Sequence, residues 1–209
     1  MATAVMVFLA AAVLWLAAPL PAAMAHSPAI VADSKSALTQ ADPFVITDPE
    51  HSQALFAELA GAPHHYKLVS AVPFRFYVGI TAAKIDDCAL GQTFSFDVFD
   101  PNGVRIDGRP GDEFDWWPWY EEFGKMWYWV GPEIGENFKS TTVYPAGSYV
   151  IRVSNTTNSG RYILAVGDEE QFGVRTIFRL LVGDLMDRIR QGWWTHPDDC
   201  QPDSAGHGN

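Results

Sequence analysis

The stretch Thr93-Phe94-Ser95-Phe96-Asp97-Val98-Phe99, followed by Asp100-Pro101-Asn102-Gly103, decides the fold. Phe94, Phe96 and Val98 alternate with Ser95 and Asp97, the period-two pattern of a strand with one wet face. The next four residues are turn formers: proline presets φ, while Asp, Asn and Gly tolerate the backbone angles of a tight reversal. The same signature repeats outward in both directions. Gln53–Leu59, Tyr66–Val69, Phe74–Thr81 and Tyr149–Val153 are short apolar or alternating runs of strand length. Gly61-Ala62-Pro63, Pro145-Ala146-Gly147 and Asn158-Ser159-Gly160 separate them as turn material. Many short strands with no long helical segment among them predict an all-β, two-sheet sandwich over residues 51–167.

Three stretches carry a resemblance. His65-Tyr66-Lys67-Leu68-Val69, Phe96-Asp97-Val98-Phe99-Asp100-Pro101-Asn102-Gly103, and Ala146-Gly147-Ser148-Tyr149-Val150-Ile151-Arg152-Val153 continued by Ser159-Gly160-Arg161-Tyr162-Ile163-Leu164-Ala165-Val166 occur in that order. Together they resemble the bacterial pre-peptidase C-terminal (PPC) type of domain, with its "YYxF" strand, "LYLYDPNG" hairpin and "AGTYYIRV…SGDYTLTV" ending. The resemblance implies a jelly-roll-like β-sandwich of the kind appended to secreted enzymes. It departs at residues 105–135, where a tryptophan-rich insertion lies.

The flanks read differently. Residues 1–25 contain no charged side chain. Their apolar run, Ala4 to Ala18, is short of the roughly 20 residues that span a bilayer, and it leads through Pro19 and Pro21 to Ala23-Met24-Ala25, a small-x-small cleavage pattern. A cleavable signal peptide over 1–25 is expected, with an uncleaved anchor as the alternative, and with it an extracytoplasmic location: periplasm, cell surface or secreted. Residues 26–50 show no periodicity and read as a leader draped over the domain. After Gly167, Val174, Ile177, Phe178, Leu181, Leu185 and Ile189 share one helical stripe, so one C-terminal amphipathic helix is predicted over 172–190, ended by Gly192, within a segment 168–192. It packs over an open face of the sandwich. The competing reading is a membrane-surface or partner-docking helix with Trp193-Trp194 as interfacial anchor. Residues 193–209 read as a flexible tail.

The net charge of −11 resides entirely beyond residue 25 and disfavours nucleic acid as a partner, because phosphate backbones are repelled. Two cysteines exclude a four-thiolate zinc module, and in an oxidising compartment Cys88 and Cys200 are expected to form a disulfide.

Two features could carry chemistry. Of eight tryptophans, five fall between Trp116 and Trp129. Exposed indoles stack on the flat C–H faces of sugars, and the neighbouring Asp112, Glu113, Asp115, Glu121 and Glu122 offer acceptors to hydroxyls or to calcium. Trp116, Trp117, Trp119, Tyr120 and Glu121 are therefore the candidate ligand-binding residues, on a loop broken by Pro118. The alternative is an aromatic minicore, since Trp127 and Trp129 share one face of a strand-length run. Second, cleavage after Ala25 makes His26 the N-terminal residue, whose α-amine and imidazole would chelate copper(II), completed by His51, His64, His65 or His196. An enzymatic reading stays open but is the weaker one: Glu121 and Glu122 are adjacent and cannot straddle a glycosidic bond, GxSxG, HExxH and P-loop motifs are missing from the sequence, and a copper oxygenase would need His26 plus a second histidine. The primary expectation is an exported, non-enzymatic binding or envelope-associated module for a glycan or partner protein. A copper carrier (or copper oxygenase) using His26, and a structural protein docking through its C-terminal helix, are the alternatives.

Overall fold

The computed structural model describes residues 26–122, 124–169, 184–195 and 200–201. The signal expected over 1–25, residues 172–183 of the expected helix, His196 and the tail beyond residue 201 lie outside the described residues. The alternating segments become strands because β-branched and aromatic side chains can all be buried on one side of a pleated ribbon. Two sheets result. The first runs β1 (Ser27–Ile30), β3 (Gln53–Ala60), β14 (Ser159–Val166), β6 (Val78–Ala83), β11 (Met126–Ile134) and β10 (Trp117–Glu121). The second runs β2 (Phe44–Ile46), β4 (His64–Ser70), β13 (Gly147–Ser154), β8 (Ser95–Phe99) and β9 (Arg105–Arg109). Two short pairs complete the set: β5 (Phe74–Phe76) with β12 (Thr142–Tyr144), and β7 (Ala89–Leu90) with β15 (Cys200–Gln201). The chain passes repeatedly from one sheet to the other, which makes this a jelly-roll-like, two-sheet β-sandwich.

The core lies between the sheets. Leu55, Leu59, Ile80, Tyr162, Leu164 and Val166 from the first sheet face Tyr66, Leu68, Phe96, Val98, Ile151 and Val153 from the second. The opening stretch behaves as its alternation requires: Phe96 and Val98 are buried, while Asp97 accepts hydrogen bonds from Arg105 and Arg152 at 2.5 and 2.6 Å. The reversal after it is an Asx turn, in which Asp100 Oδ1 accepts from the amides of Asn102 and Val104, both at 2.8 Å. That carboxylate is occupied by its own backbone.

Residues 26–50 are not a draped leader. They contribute β1 and β2, each added in parallel to an edge, β1 to β3 and β2 to β4. Short strands of three or four residues carry too few alternations to register as a pattern, and their sheet edges supply the pairing.

The described helix, α1 (Leu185–Trp193), continues through Gly192 rather than ending at it. Its apolar side covers the outer face of the first sheet. Ile189 and Trp193 are buried there against Phe56 and Ile163, and Trp193 meets Phe56 edge-on at 5.2 Å. Arg188 adds a two-pronged hydrogen bond to Asp33, at 2.6 and 2.9 Å. Trp193 and Trp194 therefore do not form an outward anchor: the first is buried, and the second is half-buried with Nε1 donating to the Trp127 carbonyl at 2.8 Å. Among the described residues no helix is long and apolar enough to cross a membrane.

Candidate functional site

The tryptophan-rich insertion is a β-hairpin, not a loop. β10 pairs antiparallel with β11, placing Trp117 opposite Val130, Trp119 opposite Tyr128 and Tyr120 opposite Trp127. Pro118 is tolerated because β10 is the sheet's outermost strand, where a missing N–H breaks no second ladder. Alternation along the hairpin divides the aromatic residues between two faces. Trp117, Trp119 and Tyr128 fall on the outer face, towards α1, whereas Tyr120, Trp127 and Trp129 fall on the inner one.

Each candidate residue then has a definite place. Trp116 is a structural side chain: it packs on the core, its Nε1 donates to the Gly111 carbonyl at 2.7 Å, and its ring covers Gly131. A Cβ at position 131 would lie 2.4 Å from that ring, so the two residues require each other. Trp119 is half-buried, with its ring 4.9 Å from Phe138 and 5.8 Å from Tyr128. Trp117 is 42% exposed, with Phe138 at 6.3 Å. Tyr120 leans on Trp127 at 5.2 Å. Glu121 accepts from the Gly124 amide and closes the hairpin turn.

Among the described residues the most exposed indole, that of Trp127, lies outside the candidate ligand-binding residues. Trp129 does pack on the core, as the strand alternation suggests, and carries Lys84 Nζ 5.4 Å from its ring centroid. Trp127, two residues earlier on the same face, projects past the core and is 48% exposed. It borders an open depression of about 950 Å3 that also presents Asp86, Asp87, Lys125 and Arg190. The backbone beneath it is pinned, because the Trp127 carbonyl accepts from both the Lys84 amide at 3.0 Å and Trp194 Nε1. Position along a strand could have separated Trp127 from Trp129 only with knowledge of where the facing sheet ends.

Among the described histidines, His64 and His65 lie apart from His26. Ser27 registers with Gln53, which sets His26 beside Ser52, and His51 stands close enough for its charge to act on the His26 imidazole. His64 lies on β4 of the other sheet and its Nδ1 is 2.8 Å from Tyr162 Oη, while His65 Nδ1 is 3.3 Å from the Leu38 carbonyl oxygen. His26 lines a recess against the outer face of the first sheet, where burial, reinforced by the positive charge of Lys139, lowers its pKa to about 4. Among the described residues no group of three or more His, Cys, Asp or Glu side chains is arranged to hold a metal.

Cys200 registers with Leu90 in the β15–β7 pair, two residues from Cys88, and Cys88 is not a free thiol.

No family model matches the chain, and no curated protein matches it. Among solved structures, the catalytic domain of GH87 alpha-1,3-glucanase in complex with nigerose aligns at 13% identity and a TM-score of 0.29, over 58% of this chain and 23% of that one. A variant of that domain in complex with tetrasaccharides aligns at 12% identity and a TM-score of 0.29, over 57% of this chain and again 23% of the other. This chain thus spans about a quarter of the length of those structures. A likeness this loose carries no argument about family or activity.

Proposed function

We propose that this chain is an exported, non-enzymatic binding module of the PPC-like sandwich type that recognises glycan through the β10–β11 hairpin. The observation that carries the reading is Trp127: a large indole, 48% exposed, held rigidly at the rim of an open depression. Asp86 and Asp87 offer acceptors, and Lys125 and Arg190 donors, around a flat apolar platform. A sugar ring needs this combination, because its C–H face stacks while its equatorial hydroxyls require partners in both senses. Trp117, 42% exposed, stands on the hairpin's other face, outside the residues that line this depression.

Retention on immobilised peptidoglycan, chitin, alginate and β-1,3-glucan, followed by titration with soluble oligomers of whichever binds, tests the reading. Trp127→Ala is expected to weaken binding about tenfold, equivalent to ~1.4 kcal/mol. Trp117→Ala should have a smaller effect, and the thermal midpoint should hold in both variants. Wild-type chain retained by none of the four, or a Trp127→Ala variant that binds like wild type, sinks the glycan assignment.

Export and the disulfide belong to the same proposal. A Cys88–Cys200 bond would fasten β15 to β7 and tie the end of the chain to the sandwich. Iodoacetamide should label neither cysteine of the unfolded secreted protein until a reductant is added. Labelling without reductant would remove the bond from the proposal.

A further inference from the structure

A second recess lies against the outer face of the first sheet and meets the Trp127 depression at Met126. It is a cavity of about 250 Å3 between the sheet and α1. Phe56, Thr81 and Ile163 form its floor, and Trp119, Tyr128 and Phe138 stand around it. We propose that this cavity binds a small, uncharged, planar apolar molecule carrying one hydroxyl group, seated among the three aromatic rings and hydrogen-bonded to Thr81.

Size sets the class of ligand. An apolar cavity of about 150 Å3 accepts benzene, so 250 Å3 accommodates roughly ten non-hydrogen atoms, a bicyclic or alkyl-substituted ring. The walls set its shape. Trp119, Tyr128 and Phe138 are tilted against one another by 36–42° at 4.9–5.8 Å, leaving faces and edges for another aromatic ring. Thr81 sets its polarity. The residue is only 9% exposed and lines the cavity, where its hydroxyl can donate to or accept from a ligand. β6 holds it in the middle of the sheet, between Ile163 on β14 and Val130 on β11, so a ligand hydroxyl would meet a fixed partner.

A charged ligand does not fit. Glu121, the one carboxylate among the described lining residues, already accepts from the Gly124 amide, and burial keeps the His26 imidazole neutral down to about pH 4. Among the described lining residues there is no Lys or Arg, so an anion would lose its hydration without meeting a cation there. A sugar would bring many hydroxyls to a surface that offers very few polar partners, so this cavity and the glycan surface take different ligands.

Ligand-observed NMR and isothermal titration of the full chain with 2-naphthol, naphthalene and 2-naphthoate test the proposal. The expected result is micromolar binding of 2-naphthol, weaker binding of naphthalene and none of 2-naphthoate. Thr81→Val, which preserves shape, should weaken 2-naphthol about tenfold and leave naphthalene unchanged. Ala165→Leu narrows the cavity and should remove binding of both, with the cooperative unfolding transition confirming that the variant folds. The proposal is overturned by absence of 2-naphthol binding up to about 1 mM, by a Thr81→Val variant that retains wild-type affinity, or by equal binding of 2-naphthoate. Because neither Thr81 nor Ala165 borders the Trp127 depression, glycan binding should survive both substitutions.

Discussion

Leu164→Ala should lower the unfolding free energy by about 3–4 kcal/mol, the cost of removing three buried carbons and leaving most of the space they filled. Leu164 is completely buried on β14, the strand that pairs with both β3 and β6 at the centre of the first sheet. Strands on either side restrain the backbone, and the second sheet faces the site, so collapse to refill the cavity is limited. With total stability in the usual range of about 5–15 kcal/mol, the loss is a large fraction, and the melting midpoint should fall by roughly 10 °C. Val143→Ala supplies the contrast. Val143 is 63% exposed on β12, and its truncation should change stability by less than about 0.5 kcal/mol. Urea denaturation of the two variants beside wild type measures both. A Leu164→Ala variant within 1 kcal/mol or so of wild type would mean that the sheet centre is not the packed core described.

Local sequence pattern reveals only part of that strand. Tyr162, Leu164 and Val166 turn inward, yet Ile163 and Ala165 are apolar too, because α1 covers the outward face. A strand buried on both sides loses its alternation, so β14 is discernible only through the resemblance of its ending and not through its period. β8 keeps a polar side and is legible directly. The helix is legible in kind but not in extent: Gly192 costs helix propensity, but Trp193, one residue on, is anchored against Phe56 and outweighs it. β1 and β2 are illegible for a different reason, since their existence depends on two free sheet edges that no local window contains.

For the site, local composition identifies the right segment and the wrong members. The concentration of indoles near residues 116–129 does mark an exposed aromatic surface, but Trp116 serves Gly131 and the core, whereas Trp127 faces solvent. What marks Trp116 out is Gly131, beside the register shift between Val130 and Glu133, whose missing Cβ leaves the space that the Trp116 ring fills. Asp86, Asp87 and Arg190 join Trp127 from remote positions in the chain, and Thr81 reaches its cavity only because a helix more than 100 residues later covers the sheet. Long-range assembly of this kind leaves no trace in spacing.

Acidification between pH 6.5 and 4 should destabilise the fold through two imidazoles. Burial lowers the pKa of His64 from 6.5 to about 4, helped by the charge of neighbouring His65, and burial does the same for His26 beside Lys139, partly opposed by Asp168. In the unfolded chain both rings bind protons below pH 6.5, whereas in the folded chain they do not until about pH 4. The unfolded state therefore holds more protons throughout this window, and stability falls as pH falls through it. Discounted for partial exposure, the two together should cost roughly 2 kcal/mol at pH 5 relative to pH 7.5. Asp33, held low chiefly by its hydrogen bond from Arg188, loses its contribution only below 3.8 and does not enter the window. One opposing effect does: the chain carries −11, and protonation relieves self-repulsion. His64→Gln isolates the imidazole contribution from that background. In the folded chain Tyr66 Oη is 2.6 Å from Tyr162 Oη, which in turn is 2.8 Å from His64 Nδ1, a chain of hydrogen bonds that places a neutral ring at the edge of the core. Protonation makes both ring nitrogens donors and removes the ring's one acceptor, a change that glutamine cannot undergo. Urea titrations at pH 7.5 and 5.0 should therefore show about half the wild-type pH effect in His64→Gln. An identical pH dependence in the two proteins would assign the effect elsewhere and leave the His64–Tyr162–Tyr66 chain as packing without a titration.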